Sequence, residues 1–236
     1  MIKKLLSLSC LCLVSILSAP TAHADTITFT ATGSGGDGPE SASATITTGT
    51  NSLIVALSNL QSFDSKTPTA AGQEVSGIFI TLSSAPTSES LSSASGTLID
   101  IADGGAVTPP PAGTTIDHWG TSLSSSTICL ETAGTCAVGG SPIDLIIGPG
   151  PYASANSSIT GRNPQIQDTG TFNLIVNGIS ADTHVTSVTF EFGTGPDSDL
   201  PGVPSTTPSV PEPSSLFLLG TGALAAAGAV RRRVVS

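Results

Sequence analysis

Positive charge and aromatic rings are scarce in this chain. Of 236 residues only seven are Lys or Arg, against 17 Asp and Glu, and Trp119 and Tyr152 are its single Trp and single Tyr. Five of the seven cations lie at the two ends, at Lys3, Lys4 and Arg231–Arg233, so that Lys66 and Arg162 stand alone between Asp25 and Ser209. That stretch holds 16 acidic residues and a net charge of −14. A surface of this sign repels phosphate backbones and anionic headgroups, which argues against nucleic acid or an anionic lipid surface as partners of the body. Helical periodicity is missing as well: no window of about 12 residues in the body repeats its apolar residues every 3.6. Strong helix formers are few beside Ser, Thr, Gly and Ala, a composition that suits a secreted β-rich domain with polar loops. No G-x-S-x-G elbow, no C-x-x-C pair and no repeat of fixed period occurs.

What is present begins with the leader. Lys3 and Lys4 precede the apolar stretch Leu5–Ala19, and Ala22-His23-Ala24 closes the segment. A charged start, a short apolar centre and an A-x-A end make residues 1–24 a secretory signal peptide cleaved before Asp25. Cys10 and Cys12 lie inside the apolar centre and do not follow the pattern of a lipid-accepting cysteine. They leave with the peptide.

The other end has three parts in order. Residues 195–209 form a Pro-rich linker, and six prolines fall between Gly195 and Pro213, which predicts an extended, semi-rigid stalk. Ser214–Val230 carries no charge and, as a helix of 17 residues, would be about 25 Å long, near the lower limit for a bilayer span. Arg231, Arg232 and Arg233 follow at once and hold that end on the cytoplasmic side, which places the body, residues 25–194, outside the inner membrane.

Pro211, Glu212 and Pro213, the apolar run 214–230 and the basic end Arg231–Arg233 together resemble the PEP-CTERM sorting signal of Gram-negative bacteria, here over residues 210–236. The resemblance covers about a tenth of the chain. It implies the secretion machinery and exosortase as partners, retention in the inner membrane through the C-terminal helix, and cleavage near the motif. It also implies a final location at the cell surface or in the extracellular matrix. Members of the class often accompany exopolysaccharide production, so exopolysaccharide is the surrounding the resemblance implies. Unrelated bodies carry this tail, and nothing about residues 25–194 follows from it.

Within the body, strand patterns recur. Thr26–Thr30 alternates. Ala42–Thr48 and Leu53–Leu57 flank Gly49-Thr50-Asn51 as a hairpin, and Val75–Leu82, Leu98–Ile101, Asp144–Ile147, Thr171–Val176 and Val185–Phe192 follow. In the last of these Val188, Phe190 and Phe192 share one face. Gly33–Gly38, Ala102–Gly113 and Gly148–Asn163 read as loops. The spacing of strands and turns predicts an all-β domain, an antiparallel β-sandwich or jelly-roll-like fold.

Chemistry is thin. Cys129 and Cys136 remain after leader cleavage, in an oxidising compartment and close in sequence, and predict a disulfide. Asp117-His118-Trp119 is the most enzyme-like triplet, yet neighbours in a strand point to opposite faces, and no nucleophile motif accompanies it. Asp37, Asp100, Asp103, Asp197 and Asp199 offer oxygens to calcium without the loop spacing that calcium sites use. His118 and His184 are too few and too far apart in sequence to predict zinc. Asn156-Ser157-Ser158 matches the glycosylation pattern, which in a bacterial exported chain is read as accidental. The expectation is a non-enzymatic surface protein with no catalytic, cofactor or metal residues. Two alternatives stay open: a carbohydrate-binding module presenting Trp119 and Tyr152, and a secreted hydrolase with His118 beside a serine and a carboxylate.

Overall fold

Alternation of small or β-branched residues with polar ones, as in Ala42–Thr48, favours extended chain with one wet and one dry face. In a computed structural model, which describes residues 25–62, 70–139, 142–195 and 198–205, that pattern becomes strands. They are β1 (Asp25–Gly35), β2 (Gly38–Gly49), β3 (Ser52–Asn59), β4 (Val75–Leu82), β5 (Ser88–Ile101), β6 (Val107–Thr108) and β7 (Gly120–Ser124). After them come β8 (Thr127–Glu131), β9 (Ile146–Ile147), β10 (Gln165–Asn177), β11 (Val185–Phe192), β12 (Ser198–Pro201) and β13 (Val203–Pro204). One four-residue helix, α1 (Ser157–Thr160), starts where the Asn156 side chain accepts the Ser158 amide at 2.9 Å. The all-β expectation is met. The leader, the end of the linker, the run 214–230 and the sorting residues lie outside the described residues. Among those described, no helix is long and apolar enough to cross a membrane.

The ladder has two leaves. One runs β7-β8-β4-β11-β12, and the other runs β6-β5-β10-β3-β2-β1-β13, with antiparallel pairing throughout. Their inward residues form one core, to which the first leaf gives Ile78, Ile80, Phe190 and Phe192, and the second gives Phe29, Ile46, Leu53 and Phe172. On the outer face of β1 and β2, threonines pair across the register, Thr26 with Thr47 at 3.0 Å and Thr28 with Thr45 at 2.9 Å.

Hydrogen bonding does not stop at the leaf edges. Ile146 in β9 pairs antiparallel with Val75 of β4, and β9 runs parallel to β10, which joins the leaves on one side. On the other side a single segment changes leaf: Asp199 and Leu200 pair with β11, while Val203 and Pro204 pair with β1. At the crossing, the Gly202 amide donates to the Val188 carbonyl at 2.9 Å. A Cβ at Gly202 would lie 2.3 Å from Val188 Cγ2, so only glycine lets the segment pass this close.

This segment corrects the linker assignment. Residues 195–209 were expected to form a stalk, but Ser198–Pro201 and Val203–Pro204 are strands, and the first compact unit extends to Ser205. Pro201 and Pro204 are compatible with pairing because each stands at the last position of a short strand. Gly33–Gly38 is also corrected from loop to hairpin: β1 reaches Gly35, β2 restarts at Gly38, and Gly36 and Asp37 make the turn. Asp144–Ile147 shortens to Ile146–Ile147, because Asp144 takes a φ of 60° that breaks the strand. β6, of two residues, sits inside the expected loop 102–113.

Candidate functional site

Three chain segments meet at Asp144. Its left-handed backbone turns the carbonyl toward Trp119, whose Nε1 donates to it at 2.9 Å, and its own amide donates to the Pro164 carbonyl at 3.0 Å. Its Oδ2 accepts the amides of Asp117 and His118 at 3.2 and 3.3 Å. The carboxylate thus stitches the stretch before β7 to the stretch before β9. Asp117 and His118 are not in a strand, so the opposite-face expectation does not apply to them. His118 Nδ1 lies 2.8 Å from Asp117 Oδ1 and 3.3 Å from Asp144 Oδ2.

The three side chains grade from surface to interior. Asp117 is 67 % exposed, His118 29 % and Asp144 1 %. They line a cavity of about 230 Å³ whose other walls include Thr114, Thr115, Ile143 and Pro164. Burial raises the Asp144 carboxyl above its ordinary range, while the two amides and His118 pull it the other way. Asp144 Oδ1 is buried without a hydrogen-bond partner. Among the described residues no serine hydroxyl hydrogen-bonds to His118, whose ring contacts are these two carboxylates.

The two rings proposed for sugar stacking are both buried. Trp119 is 2 % exposed and packs tilted against Phe172 with centroids 4.4 Å apart. Tyr152 is 3 % exposed, belongs to a second apolar cluster with Ile101, Ile147 and Ile159, and donates its hydroxyl to the Gly148 carbonyl at 2.9 Å. Burial pushes that hydroxyl up to about 12. Neither face is available for stacking a sugar, which counts against the carbohydrate-binding alternative as framed.

A second constellation, unforeseen from sequence, crosses the outer face of the first leaf. Glu131 in β8 and Glu191 in β11 both sit opposite Gly77 of β4, and Asp199 in β12 sits opposite Glu191. Gly77 has no side chain, so the two glutamates lean across it; a Cβ there would be 2.6 Å from Glu191 Oε2 and 2.7 Å from Glu131 Cβ. The loop after β8 folds back onto Glu131, held by the Cys129–Cys136 disulfide and by the Cys136 amide donating to Glu131 Oε1 at 2.6 Å. Burial, then the hydrogen bond and charge of Glu131, then Asp199, push Glu191 from its ordinary 4.5 to about 8. The predicted disulfide is therefore present, and its loop closes over the Glu131 carboxylate, where a Cβ at Gly134 would stand 2.4 Å from Oε2.

Of the aspartates considered for calcium, Asp197 lies outside the described residues, and Asp37, Asp100, Asp103 and Asp199 join no cluster of three ligand groups among those described. His184 Nδ1 pairs with Asp25 Oδ2 at 2.8 Å on the surface, far along the chain from His118. Asn156, the residue of the glycosylation pattern, is occupied as the cap of α1.

Compared with known proteins, the chain matches one family model, the PEP-CTERM protein-sorting motif, over residues 209–233. No curated protein and no solved structure matches it. The matched span contains Pro211, Glu212, Pro213 and Arg231–Arg233, all outside the described residues. Such a motif implies an exosortase as processing partner and export to the cell surface. Residues 209–233 are a PEP-CTERM protein-sorting motif, carried behind an all-β body.

Proposed function

We propose that this is an exported surface protein whose C-terminal signal is cut by exosortase near Pro211–Pro213, after transient retention in the inner membrane through residues 214–230. The freed body then serves at the cell surface or in an exopolysaccharide matrix without catalysing a reaction. The observation that carries the reading is the sorting-motif match at 209–233. It agrees with the sorting of charge, since five of seven cations belong to the ends. The fold adds that the body reaches Ser205, leaving residues 206–210 between it and Pro211. Proline at 211 and 213 keeps the residue before each out of helical conformation, which suits a site that an enzyme must read as extended chain. The non-enzymatic part is supported by His118, which hydrogen-bonds to carboxylates and to no serine among the described residues. Replacing Pro211-Glu212-Pro213 by three alanines is expected to leave an unprocessed precursor in the inner membrane of a host with exosortase. Fractionation and immunoblotting read this directly, and normal processing of that variant overturns the proposal.

A further inference from the structure

Asp144 holds a contradiction that its hydrogen bonds do not resolve. Its Oδ2 accepts two backbone amides and faces His118 Nδ1, while its Oδ1, equally buried, accepts nothing. A buried acceptor without a partner costs about 1–3 kcal/mol, more when it carries charge. A plain Asp–His–Asp ion pair uses Oδ2 and Asp117 Oδ1 and leaves that cost standing. A cation at Oδ1 removes it.

We propose that Asp117, His118 and Asp144 form a mononuclear site for a divalent transition cation of the zinc class, with one side open to solvent. One ligand atom from each residue lies within 4.8 Å of the other two. His118 Nδ1 stands 2.8 and 3.3 Å from the two carboxylates. Metal bonds of about 2.0–2.2 Å put neighbouring ligand atoms roughly 3–3.5 Å apart, a spacing the His118 ring nitrogen already has to Asp117 Oδ1, while on Asp144 the measured 3.3 Å is to Oδ2 and Oδ1 belongs to the same carboxylate. Two carboxylates balance a dication. The imidazole nitrogen selects zinc-like ions over calcium, which takes oxygen ligands. The amides of Asp117 and His118 fix Asp144 through Oδ2 and leave Oδ1 uncommitted, the kind of outer support that orients metal ligands. The cavity beside Thr114 and Thr115 gives an ion a path in and a position for water. Sequence reading missed the site because Asp144 stands 26 residues from His118 and only the fold brings it there.

The test uses the full chain, stripped with a chelator and titrated with Zn²⁺ by calorimetry, with Co²⁺ absorption as a report on coordination. One Zn²⁺ per chain is expected, with affinity reduced tenfold or more in both His118→Gln and Asp144→Asn. Asp144→Asn keeps an acceptor for the two amides. His184→Gln, which removes the exposed pair with Asp25, is expected to leave binding unchanged. Circular dichroism of each variant separates lost ligation from lost folding. The proposal is overturned if Zn²⁺ does not saturate a site. It is also overturned if His118→Gln folds and binds as the parent does, if His184→Gln is the variant that loses binding, or if Ca²⁺ alone binds.

Discussion

Unfolding of the body by urea at about pH 8 is expected to need markedly less denaturant than at about pH 5. The difference originates mainly in Glu191, which holds its proton up to about 8 in the folded protein, against an ordinary 4.5. Between those values the native state binds a proton that the unfolded chain has released, so the free energy of unfolding falls as pH rises and levels off above about 8. At about 1.4 kcal/mol per unit the full span is on the order of 3–5 kcal/mol. The acidic groups facing Glu191 act in the same sense: Glu131 is buried with it, where little water screens the pair, and Asp199 lies beside it at the exposed edge. Glu74, wholly buried and raised well above its ordinary value by that burial despite Arg162, adds to the slope, as does Glu40. Glu191→Gln keeps the shape and can donate to Glu131, so it should be more stable than the parent at about pH 8 and shallower in its pH dependence. A midpoint that is flat or rises from about pH 5 to about pH 8 would contradict this assignment.

Phe172→Ala is the substitution expected to cost most in the core, about 3–5 kcal/mol. Phe172 is fully buried in β10, which is paired on both sides, opposite Val55 of β3 and Ala94 of β5. Truncation removes its own apolar burial and also leaves Trp119 against a void, since the two rings touch at 4.4 Å. The loss propagates further, because Trp119 donates to the Asp144 carbonyl and so steadies the cavity floor. Equilibrium unfolding followed by the fluorescence of the single tryptophan measures both effects: a lower midpoint and a red-shifted native spectrum. A loss below about 1 kcal/mol would mean that the core closes over the gap, contrary to close packing around that ring.

How much of this was legible depends on what each strand buries. Val75–Leu82 and Val185–Phe192 were read to the residue, because one face of each enters the core and its apolar period is visible. The first half of β5, Ser88–Gly96, was missed because none of its side chains is fully buried; β10 holds it through the backbone ladder, which leaves no mark in side-chain pattern. The β7–β8 hairpin hid for a related reason. Its turn uses Ser125 at a φ of 58°, where glycine or asparagine would have signalled it. Ser198–Pro204 looked like a linker because prolines end both short strands and the partners, β11 and β1, lie far back in the chain. The same distance concealed the two acidic sites. Glu131 meets Glu191 across Gly77, and Asp144 meets His118, by strand order and loop closure that no local spacing encodes. The sorting motif was legible because it is read as linear sequence.

The most direct test of export and processing is the intact mass of the protein recovered from the surface of a host that carries exosortase. The expected species begins at Asp25 and ends near Pro211–Pro213, without the apolar run 214–230 and without Arg231–Arg233. A surface species that still extends through Arg233 to Ser236 would contradict it.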